Sequence, residues 1–175
     1  ATASDKFRAF RRGAVCLGDV LKGRGYRNVF MGGARLALAA KEQFLADHGY
    51  AERYGKREWL QRGVGFGDMN DWGLYDDDLF ELAKGKLKEL HESGGRFNLT
   101  LLTLDTHHPS GFYSKRCRRA GAVSFEGIVE CTANQVADFV RFIQVNGLLE
   151  DTRVVIVGDH LAMPNPVYER LQRAP

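Results

Sequence analysis

The ionisable residues of this chain gather at the ends of apolar runs. Val154-Val155-Ile156-Val157 delivers Gly158-Asp159-His160, and the run from Phe97 to Leu104 delivers Asp105-Thr106-His107-His108-Pro109. A third cluster reads Asp71-Trp72-Gly73-Leu74-Tyr75-Asp76-Asp77-Asp78. Asp159 and His160 offer a carboxylate oxygen and an imidazole nitrogen on consecutive residues, a mixed donor set that suits Mn²⁺, Zn²⁺ or Mg²⁺. The plainer reading is an aspartate that caps a following helix beside a surface histidine. His107 and His108 can bind phosphate, exchange protons or ligate a metal, or can be ordinary loop histidines. Pro109 keeps His108 out of the helical region. Around Trp72, an aromatic, a glycine and acids at a helix start can wall a ligand pocket. A helix entry with a hydrophobic anchor explains the same residues. Asp76, Asp77 and Asp78 then complement the helix dipole.

These clusters need a scaffold that brings strand ends together. Helical and strand-like segments alternate along the chain, which predicts an α/β fold with a mainly parallel sheet flanked by helices, as one domain over residues 1–175. In such sheets ligands bind just past the carboxyl ends of the strands, so the Asp105–His108 and Asp159–His160 clusters are expected side by side. The β-branched run Val154–Val157 predicts a central strand covered on both faces. Further strands are expected at Arg27–Met31 and Phe97–Leu104. Helices are expected over 15–24, over 34–47 with Leu36, Ala40 and Phe44 on one face, and from Asp76 with a stripe of Leu79, Ala83, Leu87 and Leu90. Val136, Phe139, Val140 and Ile143 repeat at helical spacing. Residues 50–70 read as an irregular excursion, and 161–175 as a frayed end.

Bulk properties narrow the classes. The chain has 175 residues, 44% hydrophobic and 27% charged, enough for a real core and unlike a disordered or fibrous sequence. No apolar run approaches the ~18 residues that a membrane helix needs. The start, Ala1-Thr2-Ala3-Ser4-Asp5, reads as a cut edge. The net charge of +3 is mild. Basic residues cluster at Arg8, Arg11 and Arg12, and at Lys115, Arg116, Arg118 and Arg119. No stacking aromatics are interleaved with the second cluster, which argues against nucleic acid. Gly32-Gly33 between a strand and a helix reads as a tight turn, because no dinucleotide or P-loop motif surrounds it. A nucleophile-elbow motif is also absent. Cys16, Cys117 and Cys131 fit no zinc spacing. Cys117 and Cys131 bracket a polar loop, and either close it as a disulfide in an oxidising compartment or stay reduced.

Five segments in order carry a resemblance: Cys16-Leu17-Gly18-Asp19-Val20-Leu21, Gly25-Tyr26-Arg27-Asn28, Asp71-Trp72-Gly73-Leu74-Tyr75-Asp76-Asp77, Leu102-Thr103-Leu104-Asp105-Thr106-His107-His108-Pro109 and Gly158-Asp159-His160-Leu161-Ala162-Met163. Together they resemble the periplasmic domain of bacterial phosphoglycerol transferases of osmoregulated glucan biosynthesis. These are relatives of lipoteichoic acid synthase in the sulfatase branch of the alkaline phosphatase superfamily. The resemblance implies an alkaline-phosphatase-like fold, here partial and truncated at both ends. It implies transfer of phosphoglycerol from phosphatidylglycerol to a periplasmic glucan through a phosphoglycerol–threonine intermediate beside a divalent metal, Mn²⁺ above all. It assigns Asp159 and His160 as metal ligands, His107 to the glycerol-phosphate group and Trp72 to the headgroup pocket. It pairs Cys117 with Cys131 as a disulfide and leaves Cys16 for an upstream cysteine. The nucleophilic threonine, the first metal ligand and the membrane anchor are expected upstream of Ala1, so the chain alone is expected to be inactive, at the periplasmic face of the inner membrane. A sulfatase, phosphodiesterase or phosphoethanolamine transferase of the same superfamily, or a non-catalytic binding module, remains the alternative.

Overall fold

The computed structural model describes residues 13–161, 163 and 165–173. The Arg8, Arg11 and Arg12 cluster and the start at Ala1–Asp5 lie outside the described residues. The chain forms two compact units. One holds the residues up to Leu74 together with Gly85–Thr103, and the other holds Tyr75–Lys84 together with Leu104 onward.

The first unit is a three-stranded parallel sheet with helices between the strands. In chain order it contains α1 (Leu17–Gly23), β1 (Arg27–Gly32), α2 (Lys41–Asp47), β2 (Tyr50–Tyr54) and α3 (Lys56–Gln61). The long helix α4 (Asp76–Glu92) contributes its second half to this unit, and β3 (Phe97–Leu102) completes it. The strand order is β2-β1-β3, with Asn28 paired to Asn98 and Met31 to Leu101. Each parallel pairing needs a crossover, supplied by α2 and by the stretch through α3 and α4. The central strand β1 is buried from Asn28 onward. Phe30, Leu36, Leu45 and Tyr50 form a core cluster, with Phe44 and Leu102 packed on it. Asn28 stitches the near end: its amide donates to the carbonyls of Gly18 at 2.8 Å and Gly49 at 3.1 Å.

The second unit is helical. It contains the first half of α4, then α5 (Lys115–Arg119), α6 (Phe125–Val145) and α7 (Pro166–Arg173). Serines start two of these helices. Ser114 Oγ accepts from Cys117 N and Ser124 Oγ accepts from Gly127 N, both at 3.2 Å, the expected N-cap geometry. The buried face of α6 carries Ile128, Cys131, Thr132, Gln135, Phe139 and Ile143. Phe80 of α4 packs against Phe139 with ring centroids 5.4 Å apart.

The α/β class and the parallel sheet agree with expectation. Four local readings need correction. The helix expected over 34–47 is broken, because Ala39 and Ala40 adopt left-handed backbone angles and α2 begins only at Lys41. The stretch expected to be irregular over 50–70 contains β2 and α3. The segment expected to fray after residue 161 contains α7. The run Val154–Val157 is not a strand. Its residues are 38%, 80%, 67% and 79% exposed, and no described residue pairs with it. β-Branched side chains fit a pleated surface, but a strand also needs a ladder partner.

Candidate functional site

Past the exposed run Val154–Val157, the backbone bends at Asp159 and His160 and presents both side chains to solvent. Asp159 and His160 are each 60% exposed at the side chain, and His160 Nε2 lies 3.6 Å from Asp159 Oδ2. His160 Nδ1 meets the carbonyl of Leu161 at 2.7 Å. A neutral ring that donates from Nδ1 keeps its lone pair on Nε2, toward the carboxylate. Histidines that ligate metals characteristically give their other N–H to a carbonyl or carboxylate in this way. The two donors therefore fit a divalent cation of O/N preference. Among the described residues no third His, Cys, Asp or Glu joins them.

His107 sits in a tightly closed turn of the same unit. Its N–H donates to Leu104 O at 2.9 Å, its carbonyl accepts from Gly111 N at 2.9 Å, and Phe112 N donates to Asp105 O at 2.7 Å. Gly111 has a positive φ of 69°, and a β-carbon there would lie 2.7 Å from Asp105 O, so glycine alone fits. His107 Nδ1 contacts the carbonyl of His108 at 2.7 Å. The imidazole is thus aimed by the backbone on both sides.

Behind this turn lie two buried carboxyls. Asp76 and Asp105 are both fully buried. Asp76 accepts from Leu104 N at 2.6 Å and from Asp105 N at 3.0 Å. Asp105 Oδ2 accepts from Asp76 N at 3.2 Å, and its Oδ1 has no hydrogen-bond partner. Burial pushes Asp105 up to about 8, and the Asp76 charge adds to the effect. Burial also raises Asp76, to about 6, against the pull of its two backbone donors. The satisfied carboxyl, Asp76, is therefore the one that holds the charge, and Asp105 holds the proton. The sequence reading missed this pair. Asp76 does not merely complement the helix dipole: it ties the start of α4 to the end of the segment leaving β3. The available signal was an aspartate directly following the apolar pair Leu74-Tyr75.

Its neighbour Asp77 accepts from Arg116 N at 3.0 Å. The basic cluster of α5 is partly committed within the fold: Arg116 pairs with Asp138, and Arg118 lies over the Tyr75 ring, 5.9 Å from its centroid.

Trp72 belongs to the first unit. Asn70 Oδ1 accepts from Trp72 N at 2.8 Å and Gly73 N at 2.9 Å, an Asx-type turn. Lys56 Nζ holds the carbonyls of Asn70 and Asp71, both at 3.0 Å. Gly73 passes so close to Gly33 that a β-carbon would sit 1.9 Å from its carbonyl oxygen. The indole is 38% exposed on this fixed loop.

Cys117 and Cys131 form a disulfide that joins α5 to α6. Cys16 is a free thiol. Its N–H and His48 Nδ1 converge on Asp19 Oδ2 at 2.9 and 2.7 Å. These bonds, the Cys16 N–H first, hold the Asp19 carboxyl below its ordinary range.

Comparisons with known proteins agree with this fold. The description "Sulfatase" belongs to the family whose pattern matches residues 4–174. Phosphoglycerol transferase I of Escherichia coli O157:H7 (strain EC4115 / EHEC) is 40% identical over 166 residues, covering 91% of this chain and 22% of its own length. The chain thus spans about a fifth of that relative. The crystal structure of the lipoteichoic acid synthase LtaP from Listeria monocytogenes superposes with a TM-score of 0.60 at 15% identity, over 75% of this chain and 33% of that one. A protein in the alkaline phosphatase superfamily from Vibrio parahaemolyticus gives 0.56 at 20% identity, over 74% and 31%. The family match runs through Trp72, the His107 turn and the Asp159-His160 pair alike, and the chain belongs to the sulfatase family.

Proposed function

We propose that this chain is part of a metal-dependent phosphoglycerol transferase. The longer protein moves phosphoglycerol from phosphatidylglycerol to a periplasmic glucan and is anchored in the inner membrane with this domain on its periplasmic face. The observation that carries the substrate class is the 40% identity to phosphoglycerol transferase I across 91% of the chain. The donor geometry of Asp159 and His160 and the backbone-aimed His107 support it.

On this reading Asp159 and His160 hold the divalent ion, Mn²⁺ by preference. When bound, the ion offsets phosphate charge and lowers the pKa of the attacking hydroxyl. With Nδ1 engaged by the His108 carbonyl, His107 donates from Nε2 to a phosphate oxygen of the headgroup when the ring carries both protons, where negative charge builds as the phosphorus–oxygen bonds exchange. The hydroxyl of a threonine preceding Ala1 attacks phosphorus. The bond to diacylglycerol breaks, and diacylglycerol leaves with a proton. A glucan hydroxyl then attacks the same phosphorus, the bond to the threonine oxygen breaks, and the proton of the glucan hydroxyl goes to the threonine oxygen. On this reading, which places the nucleophilic threonine upstream, the 175-residue chain alone turns over little or nothing.

Mn²⁺ titration of the chain by electron paramagnetic resonance tests the ion site. Weak saturable binding is expected, lost in Asp159→Asn and in His160→Ala. Equal binding in all three would remove Asp159 and His160 from the reading. Addition of sn-glycerol 1-phosphate should shift the His107 ring signals, whereas phosphoethanolamine or an aryl sulfate should not. Release of diacylglycerol from fluorescent phosphatidylglycerol by the chain alone would overturn the placement of the nucleophile upstream.

A further inference from the structure

We infer that Asp105 is a positioning residue for His107: its buried carboxyl, locked to Asp76 by reciprocal backbone hydrogen bonds, sets the path of the turn that carries the imidazole. The inference deepens the proposed function and rests on its reading of His107 as the phosphate-binding group.

Three observations carry it. First, the bonds are reciprocal. Asp76 takes the N–H groups of Leu104 and Asp105, and Asp105 takes the N–H of Asp76. Leu104 and Asp105 are in turn the residues whose carbonyls accept from His107 N and Phe112 N. A shift of either carboxyl is therefore passed directly to the backbone that frames His107. Second, both side chains are fully buried, so water cannot replace a lost bond. Third, Asp105 Oδ1 has no partner. A buried carboxylate oxygen in that state is costly, whereas a carboxylic acid is tolerated.

The charged groups acting on Asp105 share its sign. Asp76, Asp77 and Asp78 all raise it by their charge. On α5, Arg116 approaches Asp77 through its backbone N–H while its guanidinium pairs with Asp138, and Arg118 covers Tyr75. Loss of the Asp105 proton would set a second negative charge against Asp76. The two like charges then repel and drive the reciprocal clamp apart. The turn is thus held in place only while Asp105 keeps its proton.

The test uses the 175-residue chain, with histidine ring signals assigned by His107→Gln and amide exchange read at Asp76. Asp105→Asn, which keeps the acceptor and carries no charge, should match the parent at pH 7 in both readouts. Between pH 7 and 9 the parent should show a step near pH 8 in the His107 ring signals, with at least a tenfold loss of Asp76 amide protection. Asp105→Asn should show neither. Asp105→Ala should show the displaced signals and low protection already at pH 7. The inference is overturned if Asp105→Ala leaves both readouts at parental values, or if Asp105→Asn follows the parental step. Should Asp105→Ala fail to fold, the comparison of the parent with Asp105→Asn decides alone. Added sn-glycerol 1-phosphate separates the two claims, since an unmoved His107 signal refutes ligand binding and leaves the pH result standing.

Discussion

Asp105 shapes the alkaline side of the pH dependence of this chain's stability. Its folded value of about 8 stands above the ordinary aspartate value of ~3.9. The folded state thus binds a proton that the unfolded state releases. The resulting stabilisation is complete below pH ~4, declines as pH rises toward about 8, and is gone above it. Carboxyls lowered by their partners act in the opposite sense. Glu126, held by its own backbone N–H and by Ser124 with Arg170 adding to them, and Asp138, held by Arg116, contribute at neutral pH and lose that contribution on acidification. The melting temperature of the parent should therefore peak at mildly acidic pH and fall toward pH 9. Asp105→Asn should flatten the alkaline side of that curve and leave the acid side unchanged, as differential scanning fluorimetry across pH can read.

At the level of elements, the break before α2 is the most instructive. Ala39 and Ala40 have φ of 54° and 57°, a region that costs an ordinary L-residue about 1–2 kcal/mol. Glycine escapes that cost but loses more chain entropy on folding, about 0.5–1 kcal/mol. Ala40→Gly should thus be neutral or stabilising by up to about 1 kcal/mol in denaturant unfolding, where the same change inside a regular helix destabilises by about that much. The sequence hid this break because alanine is the best helix former, and Leu36, Ala40 and Phe44 repeat at helical spacing. It also hid β2, whose Glu52 and Arg53 look like loop residues. Glu52 is instead paired across the sheet surface with Arg27 Nε at 2.6 Å and Lys86 at 3.2 Å. Charges matched within the fold carry no periodic signal. The elements with strong apolar periodicity, α4 and α6, were legible, as were β1 and β3.

For the molecule as a whole, some residues of the candidate site stand out along the chain and others do not. Strand-end chemistry pointed to His107 and Asp159-His160 because ionisable residues after apolar runs are visible in one dimension. The Asp76–Asp105 clamp was not visible, since its partners are 29 positions apart and its bonds go to backbone. The Val154–Val157 run shows the reverse error, a strong strand composition whose side chains stand in solvent. An exposed β-branched run without proline or charge is a ready template for association. Val155→Lys with Val157→Lys should raise the concentration at which the chain stays monomeric in light scattering, while the melting temperature moves by less than the equivalent of about 0.5 kcal/mol, as for ordinary surface positions. A large loss of stability would show that the run is packed in solution.

The bridge between α5 and α6 makes one covalent bond of this fold depend on an electron acceptor outside the chain. Two helices are joined through Cys117 and Cys131, so their pairing is a product of synthesis conditions as well as of sequence. Material made where thiols are kept reduced would be a mixture of open and bridged molecules with one sequence. The bridged fraction then acts as a record of where and how each molecule matured, and counting thiols under denaturing conditions reads that record directly.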